Sequence, residues 1–467
     1  MLKIYNTFSK KKEEFKPIKD NKVGLYTCGP TVYFFAHIGN FRTYIFEDVL
    51  KRVLEYNGYN VNHVMNITDV GHLTSDADSG EDKMIKALKR EGKELTKESM
   101  LEIANFYTKA FKKDLSLLNI EEPNIWCRAT ENIPEQIAMI KKIIENGYAY
   151  ETENAVYFNT LKLKEYGELA RLDMKNIKTK ARVEERGEKK NPTDFALWIK
   201  LTGEHKNHIM NWKSPWGDGF PGWHIECSAM SIKYLGEKID IHCGGIDHIP
   251  VHHTNERAQN IAAIKKPVVK MWVHGDFLVL KTGKMSKSKG SNIILQDLID
   301  KGFDPLAYRY MCLGAHYRSK LTFSFESLKA SEQALNNLRE KIRELQLLDG
   351  DFQESNVDKY INRFNLLIND DMDTPKSLAL VWAVIKDNEL SGKEKLKILM
   401  VFDKVLGLDL KGIKAIEIPL NVKKLVEQRN QFRKTSNWKE ADKIRKEVES
   451  LGFRIEDVDG QTLIKKN

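Results

Sequence analysis

Apolar positions alternate, then recur at three- and four-residue spacing, then alternate again across the first seventy residues. Between Lys22 and Cys28, Val23 and Leu25 lead into the β-prone pair Tyr26-Thr27. Gly29-Pro30 then stops the ladder, which predicts a short strand ending at Cys28. From Arg42 onward, Ile45, Phe46, Val49, Leu50, Val53 and Leu54 make one apolar helix face. Asn60 to Thr68, with Val61, Val64, Met65 and Ile67, supplies a second strand and completes a βαβ unit. A nucleotide-binding α/β domain is the first inference.

The pattern continues with a polar loop at Gly71 to Asp82 and helices near Lys83 to Glu91 and Lys97 to Leu118. After the break at Glu121-Glu122-Pro123, a helix is expected near Pro134 to Asn146 and a hairpin around Ala149 to Phe158. A charged run from Lys175 to Lys190 follows. Its seven Lys or Arg against three Glu read as a solvated loop, with contact to a phosphate backbone as the alternative. Helical spacing returns at Trp223 to Met230, Lys238 to Cys243 reads as a strand closed by Gly244-Gly245, and Val268 to Gly275 reads as another strand.

Beyond Asp304-Pro305 the chain is helical. Ser327 to Leu348, Asn356 to Asn369, Pro375 to Lys386 and Lys393 to Leu406 are amphipathic and joined by short connections, which predicts an antiparallel bundle. Val422 to Lys434 and Trp438 to Leu451 predict two more helices, the second closed by Gly452, with a hairpin turning at Asp459-Gly460. From Pro419 to the end, 12 Lys or Arg stand against 8 Asp or Glu, so this small module is basic and can meet RNA or simply be solvated.

At 467 residues the chain is long enough for about three domains. Its formal charge of +9 favours an anionic partner without identifying it. The start lacks an apolar signal segment and no run approaches bilayer-spanning length, so a cytoplasmic protein without membrane contact is expected. The five cysteines are far apart and form no Cys-x-x-Cys pair, which leaves reduced thiols or metal ligands.

Candidate chemistry begins at His37-Ile38-Gly39-Asn40, where the first strand gives way to the helix. Backbone N–H groups and the positive helix end point out of that turn, Gly39 permits close approach, and His37 adds donors, so the turn suits a polyphosphate. Lys284-Met285-Ser286-Lys287-Ser288, between Gly283 and Gly290, offers two flexible ammonium groups that can follow a triphosphate; a solvated turn is the alternative. Four residues separate Trp223 from Cys227, which puts both on one helix face. His252 and Glu256 likewise stand one turn apart, a spacing that serves a metal ion or a surface hydrogen bond. Asp247 follows a strand's carboxyl end, where open α/β sheets bind ligands.

The two phosphate motifs together resemble the paired signatures of class I aminoacyl-tRNA synthetases. Over nearly its whole length the chain resembles the cysteinyl-tRNA synthetase family. The resemblance rests on Tyr26-Thr27-Cys28-Gly29-Pro30-Thr31-Val32-Tyr33, Asn66-Ile67-Thr68-Asp69, Gly222 to Met230 and Gly244 to Gln259. It implies an α/β fold: a Rossmann-like parallel-sheet catalytic domain with an insertion, followed by an α-helical bundle and a small C-terminal anticodon-binding module. The expected divisions are residues 1–118 and 212–283 for the two catalytic halves, 119–211 for the insertion and 284–326 for the lysine loop and link. Residues 327–412 are expected to form the bundle and 419–467 the terminal module.

The same resemblance implies one zinc ion per subunit, held by Cys28, Cys227, His252 and Glu256. It places Gly29, Thr68 and Trp223 in the substrate-cysteine pocket. ATP, with magnesium, falls to His37, Gly39, Asn40, Gly244, Asp247, Lys284 and Lys287, of which His37, Asn40, Lys284 and Lys287 are the catalytic set. A monomer acting on L-cysteine, ATP and tRNA(Cys) is implied, with zinc selecting the substrate thiolate and no proofreading site. Three positions depart from the family. Asn40 stands where His is frequent and can donate an amide hydrogen bond but cannot become cationic, Phe220 stands where Arg is common, and Gly71 to Asp82 is a longer acidic loop. Rival readings are a ligase that delivers cysteine to a small amine, disfavoured by the bundle and basic module, and a binding module that has lost catalysis, disfavoured by the retained motifs.

Overall fold

The computed structural model describes residues 1–70, 82–172, 188–281, 283–284, 292–348, 350–414, 418–458 and 461–466. Lys287, the loop at 71–81, most of the charged run and the turn at Asp459-Gly460 lie outside the described residues. A hairpin of β1 (Lys3–Asn6) and β2 (Lys11–Glu14) opens the chain. Then come β3 (Lys22–Thr27), α1 (Ile38–Tyr56) and β4 (Asn60–Ile67), the expected βαβ unit. The helices α2 (Lys83–Arg90) and α3 (Lys97–Leu117) lead to β5 (Ile125–Arg128), which pairs with β4 in parallel. This strand falls inside the stretch expected as insertion, yet it adds the fifth strand to the main sheet.

Next, α4 (Ile133–Glu145) precedes a four-stranded antiparallel sheet of β6 (Ala149–Glu151), β7 (Ala155–Phe158), β8 (Phe195–Lys200) and β9 (Gly219–Pro221). The chain returns through α5 (Trp223–Leu235), β10 (Ile239–Gly245), α6 (His252–Ile264) and β11 (Val269–Gly275). The main sheet is parallel throughout, in the order β11-β10-β3-β4-β5. Chain order reverses between β3 and β10, and the carboxyl ends of those two strands open a crevice, the usual ligand position in such sheets. β10 runs through Gly244 and Gly245 where the sequence reading closed it at Cys243, because those glycines pair with His274 and Gly275 of β11.

Side chains of β3 alternate faces, as a strand buried on both sides requires. Val23 and Leu25 join Val49, Leu50 and Val53 of α1 in a core shared with the helical bundle, whereas Tyr26 joins Met100, Ile103, Cys127 and Met230 on the opposite face. A small sheet of β12 (Leu278–Leu280), β13 (Gly283–Lys284) and β14 (Leu321–Phe323) carries the lysine-loop segment, beside α7 (Leu295–Asp300) and α8 (Pro305–Leu313). The bundle follows as α9 (Phe325–Leu345), α10 (Glu354–Ile368), α11 (Thr374–Lys386) and α12 (Gly392–Leu406). The terminal module is α13 (Leu420–Lys434), α14 (Trp438–Ser450) and an antiparallel pair, β15 (Phe453–Val458) and β16 (Gln461–Lys466).

The joint between sheet and bundle is polar and buried. Arg309 of α8, fully buried, donates to Asp48 of α1 at 2.6 Å, to the carbonyls of Leu118 and Asn119, and to that of Leu406 at the end of α12. Burial pushes the Asp48 carboxyl up, but Arg309 and Arg52 outweigh it and hold the group below the usual carboxylate range. Among the described residues, no helix is long and apolar enough to cross a membrane.

Candidate active site and metal centre

The cleft forms where β3, β4 and β10 end and α1, α5 and α6 begin. Its cavity, about 430 Å³, is lined by Cys28, Gly29, Asn40, Thr68, Trp223, Cys227, Gly245, Asp247 and His252 among others. Cys28 leaves β3 with its N–H bonded to the Cys243 carbonyl. Gly29 follows, donating its N–H to Asn66 Oδ1 at 2.8 Å; a Cβ there would stand 1.8 Å from the Asn66 carbonyl oxygen, so only glycine fits. Asn66 Nδ2 in turn donates to Thr68 Oγ1 at 3.1 Å, and that hydroxyl donates to Glu226 Oε2 at 3.1 Å. Trp223 opens α5 and stacks on His252, with ring centroids 4.2 Å apart at 22°, and Cys227 stands one turn further on.

Cys28, Cys227, His252 and Glu256 are all buried, and their ligand atoms lie within 4.8 Å of one another. Glu256 Oε1 is 2.9 Å from His252 Nε2, while Glu256 Oε2 is buried and accepts no hydrogen bond. His252 Nδ1 is held at 2.8 Å by His224 Nδ1, a neighbour that fixes which ring nitrogen faces the cluster. A second four-donor set overlaps the first: Cys28 and Glu256 with His242 and His253. His253 Nε2 is 3.3 Å from Cys28 Sγ, and its Nδ1 is 2.7 Å from His274. The two sets differ at the cavity: Cys227 and His252, the donors peculiar to the first, line it, whereas His242 and His253, peculiar to the second, do not.

Burial disfavours charge on every member of the cluster. Burial pushes the Cys28 thiol well above its ordinary range, with Cys227 adding to the effect. Hydrogen bonding with Cys28 pulls Cys227 down, yet burial leaves it raised. Burial drives His252 well below its ordinary value and lifts Glu256 to about 7, the latter held back by His242. Two thiols, an imidazole and a carboxylate with one oxygen that accepts no hydrogen bond are a fitting donor set for a borderline-soft divalent ion, whose field favours the deprotonated thiols.

The turn before α1, expected from the sequence to receive phosphates, carries a cap that involves Asn40. His37 is the N-cap of α1; its ring Nδ1 accepts from Asn40 N–H at 3.1 Å, and Asn40 Oδ1 accepts from His37 N–H at 3.2 Å. Asn40 therefore completes a reciprocal cap and lines the cavity. Gly39 lies in the same first turn. Gly244 is the penultimate residue of β10, where a Cβ would meet His248 Nδ1 at 2.6 Å and His253 Cε1 at 2.8 Å, and Asp247 stands exposed just beyond the strand. Lys284 belongs to β13, opposite Val279.

Sequence reasoning passed over Asn66, Glu226 and the histidines at 224, 242, 253 and 274. Asn66, His224 and Glu226 sat inside quoted motifs, but nothing in the spacing gave them work. His253, one residue from His252, reaches the cluster because i and i+3 positions also share a helix face.

Residues 14–333 match the family described as tRNA synthetases class I (C) catalytic domain. The chain is 50% identical over 467 residues to cysteine–tRNA ligase 1 of Burkholderia lata, covering 99% of this chain and 96% of that protein. It is 46% identical over 498 residues to cysteine–tRNA ligase of Treponema denticola, covering 100% and 99%. In fold it is similar to the methionyl-tRNA synthetase of Mycobacterium tuberculosis in complex with methionyl-adenylate, with a TM-score of 0.54 at 14% identity over 83% of this chain and 90% of that one.

Proposed function

We propose a mechanism from one premise: the chain belongs to the cysteine–tRNA ligase family of class I aminoacyl-tRNA synthetases, whose reaction joins L-cysteine to tRNA at the expense of ATP. The observation that carries the assignment of roles is the placement of Cys28, Cys227 and His252 on the wall of one cavity with Thr68 and Trp223. A metal wall, an aromatic face and a hydroxyl together fit a small thiol-bearing amino acid.

In the first step a carboxylate oxygen of cysteine attacks the α-phosphorus of magnesium-bound ATP, and the bond to pyrophosphate breaks. The N-terminus of α1, His37 and the Asn40 amide stabilise charge on the β- and γ-phosphates, and Lys284 and Lys287 add positive charge to the same phosphates. Gly244 and Asp247 take the adenosine side, the glycine allowing close approach. In the second step a ribose hydroxyl at the 3′ end of tRNA(Cys) attacks the carbonyl carbon, and AMP leaves.

Zinc is the ion we assign to Cys28, Cys227, His252 and Glu256, and when bound it supplies a soft Lewis acid that favours a substrate thiolate over the serine hydroxyl. Thr68, oriented by Asn66 and Glu226, and Gly29 hold the amino acid beneath Trp223. Shape alone discriminates weakly between such near-isosteres, so the donor set accounts for selectivity without a proofreading site. The domain divisions given above, a monomeric state, cytoplasmic residence and anticodon contacts by the terminal module belong to the same proposal.

The test is charging of total tRNA with labelled L-cysteine and ATP, beside labelled serine and beside metal-stripped protein. Cysteine-only charging that disappears with the metal is expected. Equal charging with serine, or full activity after stripping, would overturn the zinc assignment.

A further inference from the structure

Three substrates must meet in this cleft, and the residues assigned above account for two of them. One stretch of the remaining wall holds Tyr33, Phe34, Phe35, Lys83, Tyr107 and Phe111, none of which serves ATP or cysteine in that scheme. Two short segments, 33–35 and 106–107, face each other there. Phe34 and Phe35 meet edge to face at 5.9 Å, Phe35 meets Tyr107 at 5.0 Å, and Phe106 packs 6.0 Å from Phe35 while remaining 54% exposed. A cluster that served only to fill the core would be covered; here Tyr33, Phe34 and Phe35 are half-buried on an open cavity.

Cations border these rings. The Arg90 guanidinium lies 4.6 Å from the Phe34 centroid and donates to the Tyr33 carbonyl and to Tyr107 Oη, each at 2.9 Å. The Lys83 ammonium lies 5.7 Å from the Tyr33 centroid. Glu91 pairs with Arg90 at 3.1 Å and accepts from Tyr107 Oη, offsetting part of this charge. Aromatic faces flanked by Arg and Lys are the usual chemistry for unpaired nucleotides: every base presents a π-face, and the cations follow the phosphates.

We propose that this wall binds the unpaired 3′ end of the tRNA, its terminal base stacked on Phe34 and Phe35 and its last phosphates beside Arg90 and Lys83. The proposal rests on the ligase reading above. It places the terminal ribose between the aromatic wall and the Thr68–Trp223 side of the same cavity, where its hydroxyl can reach the activated carboxyl carbon.

The test uses the metal-replete enzyme and tRNA whose terminal adenine is replaced by fluorescent 2-aminopurine. Stacking should quench the probe on the wild type. Phe34→Leu and Phe35→Leu keep the apolar bulk but lose the π-face, so quenching should fall, and transfer from preformed adenylate should slow about tenfold or more relative to cysteine-dependent ATP–pyrophosphate exchange. Phe34→Tyr, which keeps the ring, should restore both readouts. An unquenched probe on the wild type, or quenching by the leucine variants equal to wild type, would overturn the proposal. Equal losses of exchange and transfer would also overturn it, making the rings part of the activation pocket and leaving the ligase reading intact. Absence of cysteine-dependent exchange in the wild type would remove the ligase reading itself.

Discussion

Cys28 Sγ and His253 Nε2 stand 3.3 Å apart, so the thiol that faces the substrate cavity is within reach of donors from two overlapping sets. The choice between the sets is testable one residue at a time. His252→Ala and Cys227→Ser should each lower bound metal, measured as metal per chain after exhaustive dialysis, whereas His253→Gln should retain it. Loss in His253→Gln with retention in His252→Ala would transfer the site to the deeper set.

Lys287 is the second of the two lysines proposed to follow the leaving pyrophosphate. Lys287→Ala should reduce cysteine-dependent pyrophosphate exchange by roughly a hundred- to a thousandfold, the cost of removing one donor aimed at developing charge. Its thermal midpoint should match the wild type. Exchange at the wild-type rate would remove the lysine from the catalytic set.

Arg309 is the centre of the joint between sheet and bundle, and nothing solvates it if a partner is lost. Arg309→Met alone should destabilise by up to about 3–5 kcal/mol, because Asp48 keeps only Arg52 as a partner cation and the buried carbonyls of Leu118, Asn119 and Leu406 lose their donor. The double variant Asp48→Leu with Arg309→Met should recover part of that loss. Gly407→Ala should weaken the same joint, since Gly407 has φ +62 and a Cβ would stand 2.4 Å from Arg309 Nη2. Denaturant midpoints of the four proteins check all three statements.

His63 gives the fold a pH dependence independent of the metal site. It is buried, its Nε2 is 2.8 Å from Thr27 Oγ1, and burial, reinforced by Lys51, lowers its pKa to about 3 against some pull upward from Asp48. The unfolded chain binds a proton at this residue below about pH 6.5 and the folded chain does not, so its stability contribution is full above that value and is lost as pH falls toward 3. Between pH 7 and 5 the wild type should lose about 2 kcal/mol more than His63→Gln, read from unfolding curves at each pH. Parallel pH profiles would show that His63 is solvated or protonated in the fold.

The main sheet was legible wherever glycine or proline punctuated it, as at Gly29-Pro30 after β3, and the bundle helices were legible from their apolar spacing to within a few residues. β12, β13 and β14 were not, since strands of two or three residues carry no period, and β14 pairs with β12 from about forty residues away. β5 was hidden for a similar reason: four residues behind Pro123 read as part of an insertion until β4 offers them a partner. At the site, the four expected metal donors were found together, but the roles of Asn66 and Glu226 depend on Thr68 Oγ1 lying between them. Asn40 shows the same limit. Its identity announced an amide, while its work in the cap depends on where the His37 ring turns.

That cap has a chemical consequence for His37. A neutral imidazole whose Nδ1 accepts the Asn40 N–H must carry its own proton on Nε2, so the helix start selects the ring's tautomer. Protonating Nδ1 would break the cap, and fraying the cap would release the tautomer. Helix initiation and proton placement at the phosphate turn are therefore a single equilibrium.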